Sequence, residues 1–181
     1  LKQLLAENEW NKYLVIHALL GYTIEGVIAL SGMLSPELSY YWLHDYFSIC
    51  PGFNLLRNDV DYCHAPEISS PACGICVYGE ARKVHFKELE RLFTEVGFDV
   101  ISPSRFALDL WEEKTSLPYR GKKIITHREL IPDSCGEDDV EVCLDRPLRV
   151  AYLGYPIIHK GWPVFATLFR SYRNILQVRI G

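Results

Sequence analysis

Short apolar runs alternate along the chain with segments whose apolar residues recur at helical spacing. Residues 13–17 form an apolar run that is β-branched in its middle, and this run predicts a buried strand. An aromatic-rich run at 40–44 predicts a second strand. Residues 83–96 are the clearest helix, because their apolar side chains recur at i, i+3, i+4 and i+7 and Gly97 follows as a stop.

Strands and helices alternate over most of the chain, which predicts an α/β fold with a Rossmann-like parallel sheet and flanking helices. Ligands of such sheets bind outside the carboxyl ends of the strands. The residues that follow each strand are therefore the first candidates for function. The remaining predicted elements are a helix at 23–34 with Thr23 as its cap, strands at 98–102, 123–126 and 148–153, a helix from Ser104 to about Glu113, and a helix from about Trp162.

Two segments lack this periodicity. Residues 45–82 are rich in Gly, Pro, Asn, Asp, Ser and Cys, and they predict a long loop of the kind that is often functional. Residues 127–147 contain seven Asp or Glu and two prolines, which predicts an acidic linker. The linker divides a partial N-terminal domain at 1–126 from the start of a C-terminal domain at 148–181, and both domains are expected to be Rossmann-like.

Composition and charge narrow the classes of function. The chain has 181 residues, 49% hydrophobic and 23% charged, which is globular composition. Its net charge of −4 argues against a bulk nucleic-acid binder. No signal peptide is visible, and the apolar stretch at 13–34 contains His17, Glu25 and three glycines, so we predict no spanning helix. The chain begins at Leu1 and its one methionine is Met33, so we expect a processed or truncated piece.

Two segments carry residues suited to catalysis or to anion binding. His44 ends a predicted strand and Asp45 follows it, so the imidazole could donate to a substrate hydroxyl while the carboxylate fixes its tautomer or accepts a hydroxyl itself. The alternative is a histidine that merely caps a strand end. A loop between a predicted strand and a predicted helix begins at Gly154 and ends with Lys160 and Gly161. Such a loop can cradle a phosphate, and the alternative is an ordinary βα turn with a surface lysine.

Two further groups of residues keep alternatives open. Ser104 and Arg105 follow a strand and place a hydroxyl and a cation at its carboxyl end, although capping alone would explain Ser104. The long loop contains four cysteines in the pattern Cys-x12-Cys-x9-Cys-x2-Cys, which could close a tetrahedral zinc site or could be reduced thiols that only pack. These cysteines are Cys50, Cys63, Cys73 and Cys76.

Taken in order, these segments resemble the family-4 retaining glycosyltransferases of the GT-B fold. Many of those enzymes carry a His-Asp-Tyr segment followed by Cys-Pro and a leucine pair, here the stretch 44–56. Many then have an apolar strand that ends in a Pro-Ser motif, here 100–104. Their second domain opens with a strand, a glycine and a Lys-Gly pair, here 148–161. The resemblance spans about residues 13–175, and it lies in the order and spacing of the motifs.

The resemblance implies an enzyme that transfers a sugar from a nucleotide-sugar donor to a glycan or lipid-linked acceptor with retention, without a required cofactor. It implies that the acceptor binds mainly to the first domain and the donor to the second. His44 matches a histidine near the transferred sugar, and Lys160 matches a lysine that contacts the donor diphosphate. His17 and Gly21 would line the acceptor side. The implied location is cytoplasmic, with a peripheral contact at the inner face of the membrane left open.

Two departures from the family pattern matter. Tyr155 stands where the family often has an arginine, and the family's later Glu-x7-Glu segment does not occur before Gly181. We therefore expect this piece to be inactive alone and its parent protein to be the enzyme. The alternatives are a zinc-stabilised interaction module centred on the loop from Cys50 to Cys76, and a non-catalytic relative that binds a sugar nucleotide.

Overall fold

The computed structural model describes residues 10–126, 148–172 and 176–180. The chain divides into two compact units, with the boundary between Ile131 and Pro132. That boundary falls within 127–147, the predicted acidic linker, which lies outside the described residues.

The first unit contains six strands and four α-helices among its described residues. The long segment between β2 and β5 carries a two-stranded hairpin and a one-turn helix before its main helix. In chain order the elements are β1 (Tyr13–Ile16), α1 (Ile24–Leu34), β2 (Leu38–Trp42), β3 (Leu56–Arg57), β4 (Asp61–Tyr62), α2 (Pro71–Gly74), α3 (Gly79–Val96), β5 (Asp99–Ser102), α4 (Arg105–Lys114) and β6 (Gly121–Ile124).

Four of these strands form one parallel sheet in the order β1-β2-β5-β6. The register pairs Ile16 with Tyr41, and Trp42 with Ile101. Each neighbouring pair is joined through a helix, as parallel strands require. The predicted α/β class with a parallel sheet and flanking helices is confirmed, and the sheet is compatible with a Rossmann-like fold.

The core of the first unit lies on one face of this sheet. Leu14 and Ile16 of β1 are buried, whereas Tyr13 and Val15 on the opposite face are exposed. The buried face packs against apolar side chains from α1, α3 and α4, and burying each such side chain stabilises the fold by about 1.5–3 kcal/mol. These helical core residues are Ile24, Val27, Leu89, Leu92, Phe93, Leu108 and Trp111.

Local capping signals define three helix ends where the sequence predicts them. The Thr23 hydroxyl accepts from the backbone N–H of Gly26 at 3.2 Å and begins α1. The helix α3 ends at Gly97, whose φ of 67° lies in the left-handed region and whose N–H donates to the Phe93 carbonyl. Ser104 caps α4 in the same way as Thr23 caps α1.

The predicted loop at 45–82 is too long, because α3 begins at Gly79 and not at Lys83. The packing of the preceding turn against the helix start accounts for the four additional residues. A Cβ at Gly79 would lie 1.8 Å from the carbonyl oxygen of Cys73, so only glycine lets the helix start this close to the preceding turn. The strand predicted at 123–126 is also displaced, because pairing with β5 sets β6 two residues earlier.

The second unit is a strand–helix–strand unit. Its described elements are β7 (Leu148–Tyr152), a 3-10 turn (Ile158–Lys160), α5 (Trp162–Tyr172) and β8 (Leu176–Ile180). The two strands pair in parallel, with Leu148 opposite Leu176. The strand and helix predicted for this region are confirmed, and α5 begins at the predicted Trp162.

A buried polar group ties the start of the long loop to the core. The indole N–H of Trp111 donates to the Ser48 hydroxyl at 3.0 Å, and both side chains are buried. Tyr41 also bonds to Ser48, and burial raises the pKa of the Tyr41 phenol well above its ordinary value. Ser48 therefore satisfies two aromatic polar groups that have no access to water.

We expect Ser48→Ala to lower the free energy of unfolding by about 1–3 kcal/mol, because it leaves the Trp111 N–H buried without its acceptor. Urea denaturation followed by tryptophan fluorescence measures this loss. Ser69→Ala is the matched control, since Ser69 is exposed, and it should change the value by less than about 0.5 kcal/mol. Equal effects of the two substitutions would contradict a structural role for the Ser48 hydroxyl.

Candidate functional site

Three aromatic rings meet at the carboxyl edge of the parallel sheet. The rings of His17 and His44 lie nearly parallel, with centroids 5.1 Å apart and an interplanar angle of 18°. Trp42 stacks on both, with centroids 5.5 Å from His17 and 5.2 Å from His44. We call these three residues the ring stack. Both imidazoles are exposed and the indole is half-buried, so the ring stack faces solvent.

The two imidazoles are also joined by a hydrogen bond. Nδ1 of His17 lies 2.8 Å from Nε2 of His44. One of these nitrogens must carry the proton and the other must accept it, because two N–H groups cannot bond to each other. The bond therefore couples the tautomers of the two rings. In this way His17 can fix the tautomer of His44, a role that the sequence analysis suggested for Asp45.

The parallel register explains why residues 27 positions apart meet. His17 directly follows β1, and His44 lies two residues beyond β2. The ladder continues past β2, since the Leu43 N–H donates to the Ile101 carbonyl at 2.8 Å. Because the carboxyl ends of parallel strands share one edge, both imidazoles reach the same place. The predicted grouping of strand-end residues is therefore observed for His17 and His44.

Asp45 shapes the backbone that follows His44. Its carboxylate accepts from the Phe47 N–H at 2.9 Å, which is an Asx turn. The Phe47 carbonyl in turn accepts from Nε2 of His85 at 2.6 Å, and the two rings pack edge to face. The helix α3 thus holds the segment that begins at His44, and His85 is a positioning residue that the sequence pattern gave no reason to single out.

Ser104 and Arg105 lie after β5, beyond the same edge. The Ser104 hydroxyl accepts from the Ala107 N–H at 3.1 Å, so capping occupies it. The buried Ser102 hydroxyl donates to the Ser104 carbonyl at 2.9 Å and tightens the turn. Arg105 is the first residue of α4 and is exposed. Of these predicted residues, Arg105 has the side chain that is better placed to meet a ligand.

Gly21 lies in the turn between His17 and α1. Its φ of 85° is left-handed, and a Cβ there would meet nothing within 4 Å. Tyr22 closes this turn by donating its N–H to the Leu19 carbonyl, and Leu19 is buried. Glycine is therefore required for the backbone conformation, and the turn that it forms is exposed and close in sequence to the ring stack.

In the second unit, the loop after β7 adopts the predicted form. Gly154 and Gly161 both have left-handed φ, at 125° and 80°. The Tyr152 hydroxyl lies 3.1 Å from the Lys160 carbonyl and 3.2 Å from that of Tyr155, so the buried tyrosine holds the loop closed. The Lys160 side chain is exposed just before α5, where a cation and a helix N-terminus together favour an anion.

Trp42 is the member of the ring stack that is not among the predicted site residues. The aromatic-rich run at 40–44 predicts a strand, and in the structure the ring of Trp42 spans both histidines. The signal was present in the alternation of β2: Tyr41 is buried against the helices, so its neighbour Trp42 points to the other face. An aromatic residue on the open face of a strand, close to a histidine at the strand end, is the sequence feature that indicates this packing.

Within the parts of the chain that the structure describes, no group of three or more His, Cys, Asp or Glu side chains is placed to hold a metal ion. No helix among them has the length and apolar character needed to cross a membrane.

Comparison of the chain with protein-family models, with curated protein sequences and with solved structures finds no significant match.

The His85 contact predicts a dependence of stability on pH. Burial lowers the pKa of His85 below its ordinary 6.5, against the opposing effect of the Phe47 carbonyl. His85 therefore binds a proton more readily in the unfolded chain than in the folded one. The contribution of the neutral His85 to the free energy of unfolding is fully present above about pH 6.5 and is lost as the pH falls below it. Urea denaturation between pH 8 and pH 5 measures this slope.

His85→Gln should flatten the slope while retaining an N–H donor for the Phe47 carbonyl. The control is His64→Asn, because His64 is exposed and Asn tolerates its positive φ of 56°. The control should keep the slope of the unsubstituted chain. An unchanged slope in His85→Gln would contradict the assignment of this pH dependence to His85.

Proposed function

We propose that the chain is part of a retaining glycosyltransferase that moves a sugar from a nucleotide-sugar donor to a glycan or lipid-linked acceptor. The observation that carries the proposal is the ring stack, with its hydrogen-bonded imidazole pair, at the carboxyl edge of a parallel sheet. The resemblance in motif order and spacing, described above, gives the reaction class.

The chemistry of the ring stack suits a sugar. Imidazoles donate to and accept from hydroxyls. Nε2 of His44 is engaged by His17, so in the neutral ring Nδ1 of His44 is a donor when Nε2 accepts and an acceptor when Nε2 donates. The indole of Trp42 offers an apolar ring edge and face of the kind that packs against sugar rings. In the proposed reaction His44 lies near the transferred sugar, and His17 positions the imidazole of His44. Asp45 supports His44 indirectly, through the Asx turn with Phe47.

The donor diphosphate would be bound by the loop of the second unit. Negative charge grows on the diphosphate as the bond to the sugar breaks, and a cation placed beforehand stabilises it. Lys160 is exposed at a glycine-bounded turn whose shape is fixed by the Tyr152 hydroxyl. Tyr155, which stands in place of the family's arginine, is also exposed, so Lys160 would carry more of the phosphate contact.

The test uses the full-length protein with a panel of UDP-, GDP- and dTDP-sugars, and measures donor hydrolysis, transfer and donor binding. We expect one donor to be used. His44→Ala should lower kcat by about 10²–10⁴-fold with little change in donor Kd, because His44 acts at the reacting sugar. Lys160→Ala should weaken donor binding by about tenfold, as expected when a charged hydrogen bond to phosphate is lost.

Two controls match these substitutions. Arg170→Ala removes an exposed cation from α5 of the same unit, and His64→Asn removes an exposed histidine from the long loop. Both should leave kcat and donor Kd unchanged. A His44→Ala protein with full activity, or a full-length protein that neither binds nor cleaves any of the donors, would overturn the proposal.

A further inference from the structure

Residues of the long loop line a small, partly open cavity, and four cysteines are among them. Its volume is about 20 Å³, which is room for a single water-sized occupant. Apolar residues such as Leu55 and Ala65 form much of the remaining wall. The cysteines of this wall are Cys50, Cys63, Cys73 and Cys76, and all four are free thiols.

The four cysteines come from four places in the loop. Cys50 lies near the start of the loop, Cys63 follows β4, Cys73 lies in α2 and Cys76 in the turn after it. Backbone bonds fix these positions: the Cys63 N–H donates to the Leu55 carbonyl at 2.9 Å, and the Cys76 N–H to the Cys73 carbonyl at 3.0 Å. Four cysteines that are distant in sequence thus line the same cavity.

Arg82 supplies a positive charge beside this cavity. It is only 4% exposed, and its guanidinium donates to two carbonyls, of Ile49 and Pro66, and to the Cys73 sulfur at 3.1 Å. Among the described residues, no carboxylate forms an ion pair with it. Buried charges in proteins are normally paired, so a negative group at the cysteines would complete this arrangement.

Four thiolates around one divalent ion carry a net charge of −2, which meets this need. Thiolates are the ligands that zinc prefers in structural sites, and tetrahedral four-sulfur coordination is typical of zinc or of iron–sulfur sites. The size of the cavity favours a single ion over a multi-atom cluster. From this convergence of four thiols and one unpaired guanidinium, we propose that Cys50, Cys63, Cys73 and Cys76 bind one structural Zn²⁺ ion.

Zinc binding requires the four sulfur atoms to move closer together, because among the described side chains no group of three is placed to hold a metal ion. Rotating a cysteine about χ1 from one staggered position to the next moves its sulfur by about 3 Å. Such rotations do not disturb the backbone bonds that position the four residues. The four thiol protons pass to solvent as Zn–S bonds form, and the ion then cross-links the hairpin and α2 to the start of the loop.

The experiment measures zinc in the purified 181-residue chain by elemental mass spectrometry, after expression with zinc and without chelator. We expect about one ion per chain. Cys63→Ser and Cys76→Ser, which alter half-buried positions, should each lower zinc content by at least about tenfold. The matched controls are Cys135→Ser and Cys143→Ser, whose cysteines lie outside the described residues and outside the four-cysteine set, and both should retain the ion.

A second measurement needs no substitution, so it stays decisive if the variants fail to fold. Cobalt(II) added to the zinc-free chain should give the intense sulfur-to-metal absorption and visible bands of a tetrahedral thiolate site, and zinc should displace them. A chain that contains no zinc and gives no such spectrum would overturn the proposal. So would mass spectrometry that finds disulfides among the four cysteines, or iron with sulfide in place of zinc.

Discussion

The parallel pairing of β2 with β1 on one side and with β5 on the other determines where the rest of the first unit lies. It buries Tyr41 against the helices and turns Trp42 to the other face. It also brings the ends of β1 and β2 to one edge, where His17 and His44 bond at 2.8 Å. A shift of one residue in this register would exchange the two faces of β2 and separate the ring stack.

The long loop depends on a different kind of interaction. Apolar side chains such as Ile49 and Leu55 anchor it in the core, and polar contacts from the helices hold it as well: Trp111 to Ser48, His85 to the Phe47 carbonyl and Arg82 to two carbonyls. Tyr78 adds a bond to Asp59, which raises the pKa of Tyr78 to about 12. The loop is therefore shaped by specific hydrogen bonds, and these also orient the backbone that follows His44.

Features that depend on local sequence could be predicted, and features that depend on distant contacts could not. The caps at Thr23 and Ser104 follow from neighbouring residues alone. The position of β6 depends on its pairing with β5, which no local pattern contains. The same holds for the site: strand ends predicted that His17 and His44 share an edge, but the bond between them follows from side-chain geometry across two strands.

Magnetic resonance of the histidine rings tests most directly whether the ring stack handles a sugar. The full-length protein would be titrated with the nucleotide sugars and with oligosaccharide acceptors, with His64 and His85 as internal references. If the ring stack binds a sugar, the ring signals of His17 and His44 will shift saturably with at least one ligand while the references stay still. Unchanged signals from both His17 and His44 across the whole panel would contradict the account.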